Sequence, residues 1–154
     1  MYSDDQALTQ LIGDECLQLM ASVPVGRIIY TRQALPAVEL VNFALDDGDI
    51  IIRTDHGSKL SAATRGAVVA FEADSLDADR HVGWSVTAIG HSREVTDSDE
   101  IGRLEKLGLR AWAPGERKHF IRISPGILNG RRLSAEEPED DHQTSQECGR
   151  ADRF

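Results

Sequence analysis

Cysteine is nearly absent. The 154 residues hold two, Cys16 and Cys148, the first in a helical pattern and the second in a polar stretch. Neither has metal-ligand spacing or a paired framework, so no disulfide scaffold and no zinc site is expected. Also missing is any apolar run near the roughly 20 residues that a membrane helix needs. The first residues, Met-Tyr-Ser-Asp-Asp, are acidic where a secretory leader is basic and then apolar. These absences point to a soluble, cytoplasmic protein. There is no excess of cations either: 17 Lys and Arg stand against 26 Asp and Glu, a net charge of −9. That balance offers no basic face for nucleic acid. No Gly-x-Gly-x-x-Gly run and no Walker-type loop occurs, so a nucleotide site must use another architecture.

What charge there is lies unevenly. Residues 134–154 hold seven acids and two arginines, a net of −5, which leaves −4 for residues 1–133. With almost nothing apolar to bury, the 134–154 stretch cannot offset its ordering entropy and reads as a disordered acidic tail. Residues 1–133, at 40% hydrophobic content for the whole chain, suit one domain with a real core.

Periodicity sets the expected elements. Leu8, Leu11, Ile12, Cys16, Leu19 and Met20 recur at three- and four-residue spacing, and Ser3 with Gln6 resembles a capping box, which predicts an amphipathic helix over 3–22. Extended runs follow at 25–31, 35–45, 49–54, 67–74, 83–95 and 119–124, with a further one at 127–133. Asp46-Asp47-Gly48-Asp49 reads as a hairpin turn with glycine at a positive backbone angle. Short helices are expected at 58–65, closed by Gly66, and at 97–109, opened by acids and ended near Gly108. Six or seven strands joined by short connections favour a closed or nearly closed antiparallel barrel over a doubly wound sheet.

One stretch carries a concentration of anion-binding chemistry. "RTDHGSKLSAATR", residues 53–65, follows the apolar run Ile50-Ile51-Ile52 and opens a helix. Arg53 offers a planar fork of donors, Lys59 a point charge, and Thr54 and Ser58 hydroxyl donors, beside the amides of a helix start. Together they can converge on a phosphomonoester. In the competing reading Arg53 pairs with an acid such as Asp55, Ser58 caps the helix and Lys59 is solvated.

The ordered blocks "VPVGRIIYT", "LPAVELVNFAL", "DIIIRTDHGSKLSAA", "VVAFEAD", "GWSVTAIGHSREV" and "HFIRISPGILNGRRL" resemble the pyridoxamine 5′-phosphate oxidase-like proteins of the FMN-binding split-barrel superfamily. The resemblance covers about residues 12–133. It implies a mainly β fold, a six-stranded antiparallel split β-barrel, and a homodimer with two flavin sites at the subunit interface. It further implies that Arg53, Thr54, Ser58 and Lys59 hold the phosphate of FMN, that Val38 and Asn42 meet the ring, and that Trp84 stacks on it or closes the pocket. The activity implied is that of an FMN-dependent oxidoreductase acting on a small molecule. Relatives that bind a deazaflavin or haem leave a deazaflavin-dependent reductase, or a flavin- or haem-binding dimer without turnover, as alternatives. The alternative for Asn42 is an amide that satisfies a barrel-end backbone group, and for Trp84 a large packing anchor.

The remaining residues read as structural. Glu72, in an apolar strand, would face inward or across the dimer and need an arginine such as Arg27 or Arg122. Trp112 reads as packing or interface. Arg131 and Arg132 suit either a second phosphate or a solvated surface. His56 lies at an exposed turn, and His81, His91, His119 and His142 lack carboxylate company that suggests a metal. No nucleophile and base set stands out, which fits a chain whose cofactor carries the chemistry.

Overall fold

The computed structural model describes residues 8–54, 59–109 and 119–134, with the side chains of Leu8 and Lys59 outside that description. The order is β1 (Leu8–Leu11), α1 (Gly13–Ala21), β2 (Val25–Arg32), β3 (Leu35–Asp46), β4 (Asp49–Thr54), α2 (Lys59–Thr64), β5 (Val68–Asp77), β6 (Val82–Glu94), α3 (Ser98–Glu105) and β7 (His119–Leu133). Every pairing is antiparallel. The sheet runs β1-β7-β4-β3-β2-β5-β6, and a further β7–β6 pairing closes a six-stranded barrel.

The split lies along β7. Its first half pairs with β4 through Ile123, and its end pairs with β1 from Gly130, while β6 accompanies it on the other edge. Pro125, which has no backbone donor, falls in the gap between β4 and β1 and beside a register shift at Ile89 and Gly90. A proline is tolerated at such a bulge. The stretches 119–124 and 127–133 therefore form one strand.

The N-terminal segment departs from the expected helix over 3–22. Residues 8–11 form a strand, because the open edge of β7 at Gly130–Leu133 offers ladder partners that a longer helix would forgo. Gly13 then starts α1, which buries Cys16 and Met20 completely. Ser3 and Gln6 lie outside the described residues, as do Cys148 and nearly all of the acidic stretch 134–154. Cys16 is a free thiol, with its pKa raised by burial.

Alternation places the core. Ile50 and Ile52 point into the barrel with Ile28, Phe43, Phe71, Val86, Ile121 and Ile123, whereas Ile51 points out. Burying each such side chain stabilises the fold by about 1.5–3 kcal/mol. Ile51 joins Val95, Leu104, Leu109 and Phe120 in a second cluster under α3. Asp97 caps that helix by accepting from the Glu100 amide at 3.2 Å. Asp47 and Gly48, with φ of 50° and 79°, make the tight β3–β4 turn expected from the sequence. Gly66 and Gly108 both have positive φ just past α2 and α3.

Candidate functional site

The outer face of β3 and the end of β4 bring together the polar and apolar groups of interest. Along β3, Val38, Leu40 and Asn42 alternate with the inward Ala37, Val41 and Phe43. Val38 is 62% exposed and Leu40 57%, an unusual apolar strip for a surface. Phe43 pairs with Ile52, so Asn42 and Arg53 are the next residues on their strands beyond that pair, both on the outer side. Thr54 turns inward and is buried.

Arg53 is held in place by backbone and ring. Its Nη1 donates to the Leu109 carbonyl at 3.1 Å, and its guanidinium carbon lies 5.5 Å from the centroid of the Phe120 ring. Phe120 is its partner across the β4–β7 ladder. A guanidinium carries five donors in a fixed fork, so a planar anchor on one side fixes the direction in which the others point. Ser58 falls outside the described residues and Lys59 is placed only by its backbone at the start of α2. Of the four phosphate-binding candidates, the structure thus locates the side chains of Arg53 and Thr54. Donors at the β4 end beside an apolar strip on β3 fit a ligand with an anionic tail and a flat apolar body, which is the chemistry of a flavin phosphate.

Comparison with known proteins decides the family. The model described as pyridoxamine 5′-phosphate oxidase matches residues 13–132. The chain belongs to that family. It is 40% identical over 134 residues to the uncharacterized protein Rv0080 of Mycobacterium tuberculosis, covering 84% of this chain and 88% of that one. A Mycobacterium smegmatis structure named as an FAD binding protein is 33% identical, with a TM-score of 0.71 over 81% of this chain and 98% of its own. A Corynebacterium glutamicum structure carrying the same family designation is 32% identical, with a TM-score of 0.75 over 86% and 98%. The pattern of strands is accordingly that of a split barrel of this family.

Trp84 stands apart from Arg53 along β7. It is partly buried against the barrel core, at the β6 end that pairs with the last residues of β7. It helps line a hollow of about 360 Å³ with Asp74, Leu76, Gly83, Ser85, Arg131 and Leu133. Arg53 pairs with Phe120 near the opposite end of β7.

Glu72 faces outward rather than into the barrel, alternating with buried Phe71 and Ala73. Its partner is Arg27 at 2.9 Å, which also holds Asp74 at 2.9 Å. Burial and the neighbouring Asp74 push the Glu72 carboxyl up more than Arg27 draws it down. Arg122 serves a different cluster: almost fully buried, it meets Asp46 at 2.6 Å, Asp49 at 3.0 Å and Glu100 at 2.9 Å. One histidine has a carboxylate neighbour. His119 Nδ1 lies 3.3 Å from Glu94, which also takes Arg65 at 3.1 Å. Among the described residues no group of three metal-ligating side chains forms, and no helix is long and apolar enough to cross a membrane. His56, Trp112 and His142 lie outside the described residues.

Sequence reasoning missed Leu109 and Phe120 as partners of Arg53. The only available signal was Phe120 opening an alternating strand; Leu109 contributes a backbone carbonyl, which no side-chain pattern announces.

Proposed function

We propose that the chain is a flavin-binding oxidoreductase that grips its cofactor by the phosphate and works as a homodimer. The observation that carries this reading is the pairing of Arg53 and Asn42 with the exposed apolar strip of Val38 and Leu40 on one barrel face. Arg53, joined by Ser58 and Lys59 of the following segment, holds the phosphate, and Val38 and Asn42 meet the ring. A bound flavin supplies the redox chemistry, taking electrons from a donor and passing them to a small oxidised substrate, while the protein supplies position and electrostatics.

FMN is the cofactor this grip suits at minimum, since it contains the one phosphomonoester required. The 33% identical FAD binding protein of Mycobacterium smegmatis favours FAD as a second reading, in which the same residues meet a pyrophosphate.

The dimer rests on a row of outward side chains crossing five strands in register: Val38, Ile29, Ala70, Ile89 and Ile127. Val38, Ile89 and Ile127 are 62%, 36% and 52% exposed. A second copy is the occupant that covers such a row and brings Trp84 towards the ligand of its neighbour. The phosphate grip is tested by titrating wild-type and Arg53→Ala chains with FMN and with riboflavin, which lacks the phosphate. A charge-assisted hydrogen bond contributes about 1.5–3 kcal/mol, so FMN affinity should fall about tenfold or more, with riboflavin affinity unchanged. Equal FMN affinity in the two chains would remove Arg53 from the site.

A further inference from the structure

Arg53 lies at the rim of the second core, and that core is clamped from its far side by ions. Glu100 on α3 accepts from Arg122 at 2.9 Å and from Arg93 at 2.8 Å. Arg103, one turn later, donates to both oxygens of Asp46 at 2.9 Å. Asp46 in turn accepts from Arg122, so α3 is tied to β3, β6 and β7 through one continuous network. Leu104 of α3 and Leu109 beyond it pack on Phe120 and Ile51. Gly108, at φ 71°, turns the chain between helix and Leu109. The carbonyl that fixes Arg53 is therefore delivered by the segment that leaves α3.

We propose that the Arg122-centred ion network and α3 act as a positioning device for Arg53, setting the direction of its guanidinium through Leu109 and Phe120. This rests on the reading of Arg53 as a phosphate ligand. Arg122 and Glu100 are positioning residues: neither reaches the outer strip of β3 where the ligand would lie. A guanidinium anchored on one side recognises an oxyanion only at the angle its anchor allows, so a helix that shifts by a fraction of its width misaims the fork. The device acts on the phosphate and not on the ring.

The test is a double-mutant cycle read with two ligands. FMN and riboflavin are titrated into wild type, Glu100→Gln, Arg122→Met, Arg53→Ala and the Arg53→Ala/Glu100→Gln double variant. Glu100→Gln and Arg122→Met should each weaken FMN about tenfold while riboflavin changes less than about twofold. The Glu100→Gln effect should vanish once Arg53 is alanine. Glu100→Gln carries the test alone if Arg122→Met does not fold. The inference is overturned, with the phosphate reading intact, if Arg53→Ala loses FMN and Glu100→Gln does not. It is also overturned if Glu100→Gln weakens both ligands equally, since general loosening would do that. FMN binding that ignores Arg53→Ala would sink the phosphate reading and the inference with it.

Discussion

Replacing Arg122 by methionine should cost the fold about 3 kcal/mol at neutral pH, because three carboxylates lose the cation they share. The Arg122 side chain is 6% exposed, and Asp46, Asp49 and Glu100 are 15%, 26% and 16% exposed. Removing one partner of a buried ion pair costs about 3–5 kcal/mol, because the other charge is left without compensation. The low end applies here, since Asp46 keeps Arg103 and Glu100 keeps Arg93. For a domain of this size the loss corresponds to a Tm lowered by about 10 °C. The pH dependence supplies the sharper check. The hydrogen bond from Arg122 holds the Asp46 carboxyl below its ordinary value, and those from Arg93 and then Arg122 do the same for Glu100. A depressed carboxylate stabilises the fold above its unfolded pKa of about 4, and that contribution is lost as pH falls through the folded value. Thermal unfolding of both chains at pH 7 and in acid should show a gap that narrows below about pH 4. A gap under about 1 kcal/mol at pH 7, or one that is the same in acid, refutes the reasoning.

Other perturbations probe separate parts of the account. A Cβ at Gly90 would collide with the Ser124 carbonyl oxygen and stand 2.7 Å from its carbon, in the bulge that seals the barrel. Gly90→Ala should cost about 3 kcal/mol or prevent folding, whereas Gly102→Ala on α3, with nothing within 4 Å, should stabilise by about 0.5–1 kcal/mol; equal unfolding free energies for the two would contradict the packing. Burial, reinforced by a 2.6 Å hydrogen bond to Glu39, pushes the Tyr30 phenol up to about 12. A raised pKa means stability held below pH ~10 and lost as pH rises through the folded value, so alkaline titration of phenolate absorbance should show this late step, absent in Tyr30→Phe. Ile89→Asp, in the middle of the exposed apolar row, should yield monomers by sedimentation, and a dimer of unchanged affinity would place the interface elsewhere.

Much of the barrel was legible because its strands carry their own punctuation. Residues 49–54 end on a Gly-containing turn at one side and on polar Arg53-Thr54 at the other, and β4 has those bounds. β1 was not legible, since four residues with a helical-looking spacing become a strand only when β7 leaves an edge open beside them. The runs expected separately at 119–124 and 127–133 likewise merge, because the split of the barrel absorbs Pro125 between them. At the site, Arg53 and Thr54 could be picked out from charge and position, whereas the contact of Arg53 with Leu109 spans 56 residues and uses a backbone atom. For Glu72 the sequence left Arg27 and Arg122 open as partners and Arg27 is the one it meets, while its facing followed from register with Phe71 and Ala73, which the apolar character of β5 concealed.

The measurement that meets the central claim most directly is the visible absorption spectrum of the purified full chain, with the released chromophore identified by mass. A two-band flavin spectrum, with FMN or FAD released in proportion to protein, is the predicted result. A Soret band, or a colourless chain that takes up neither flavin on incubation, would contradict it.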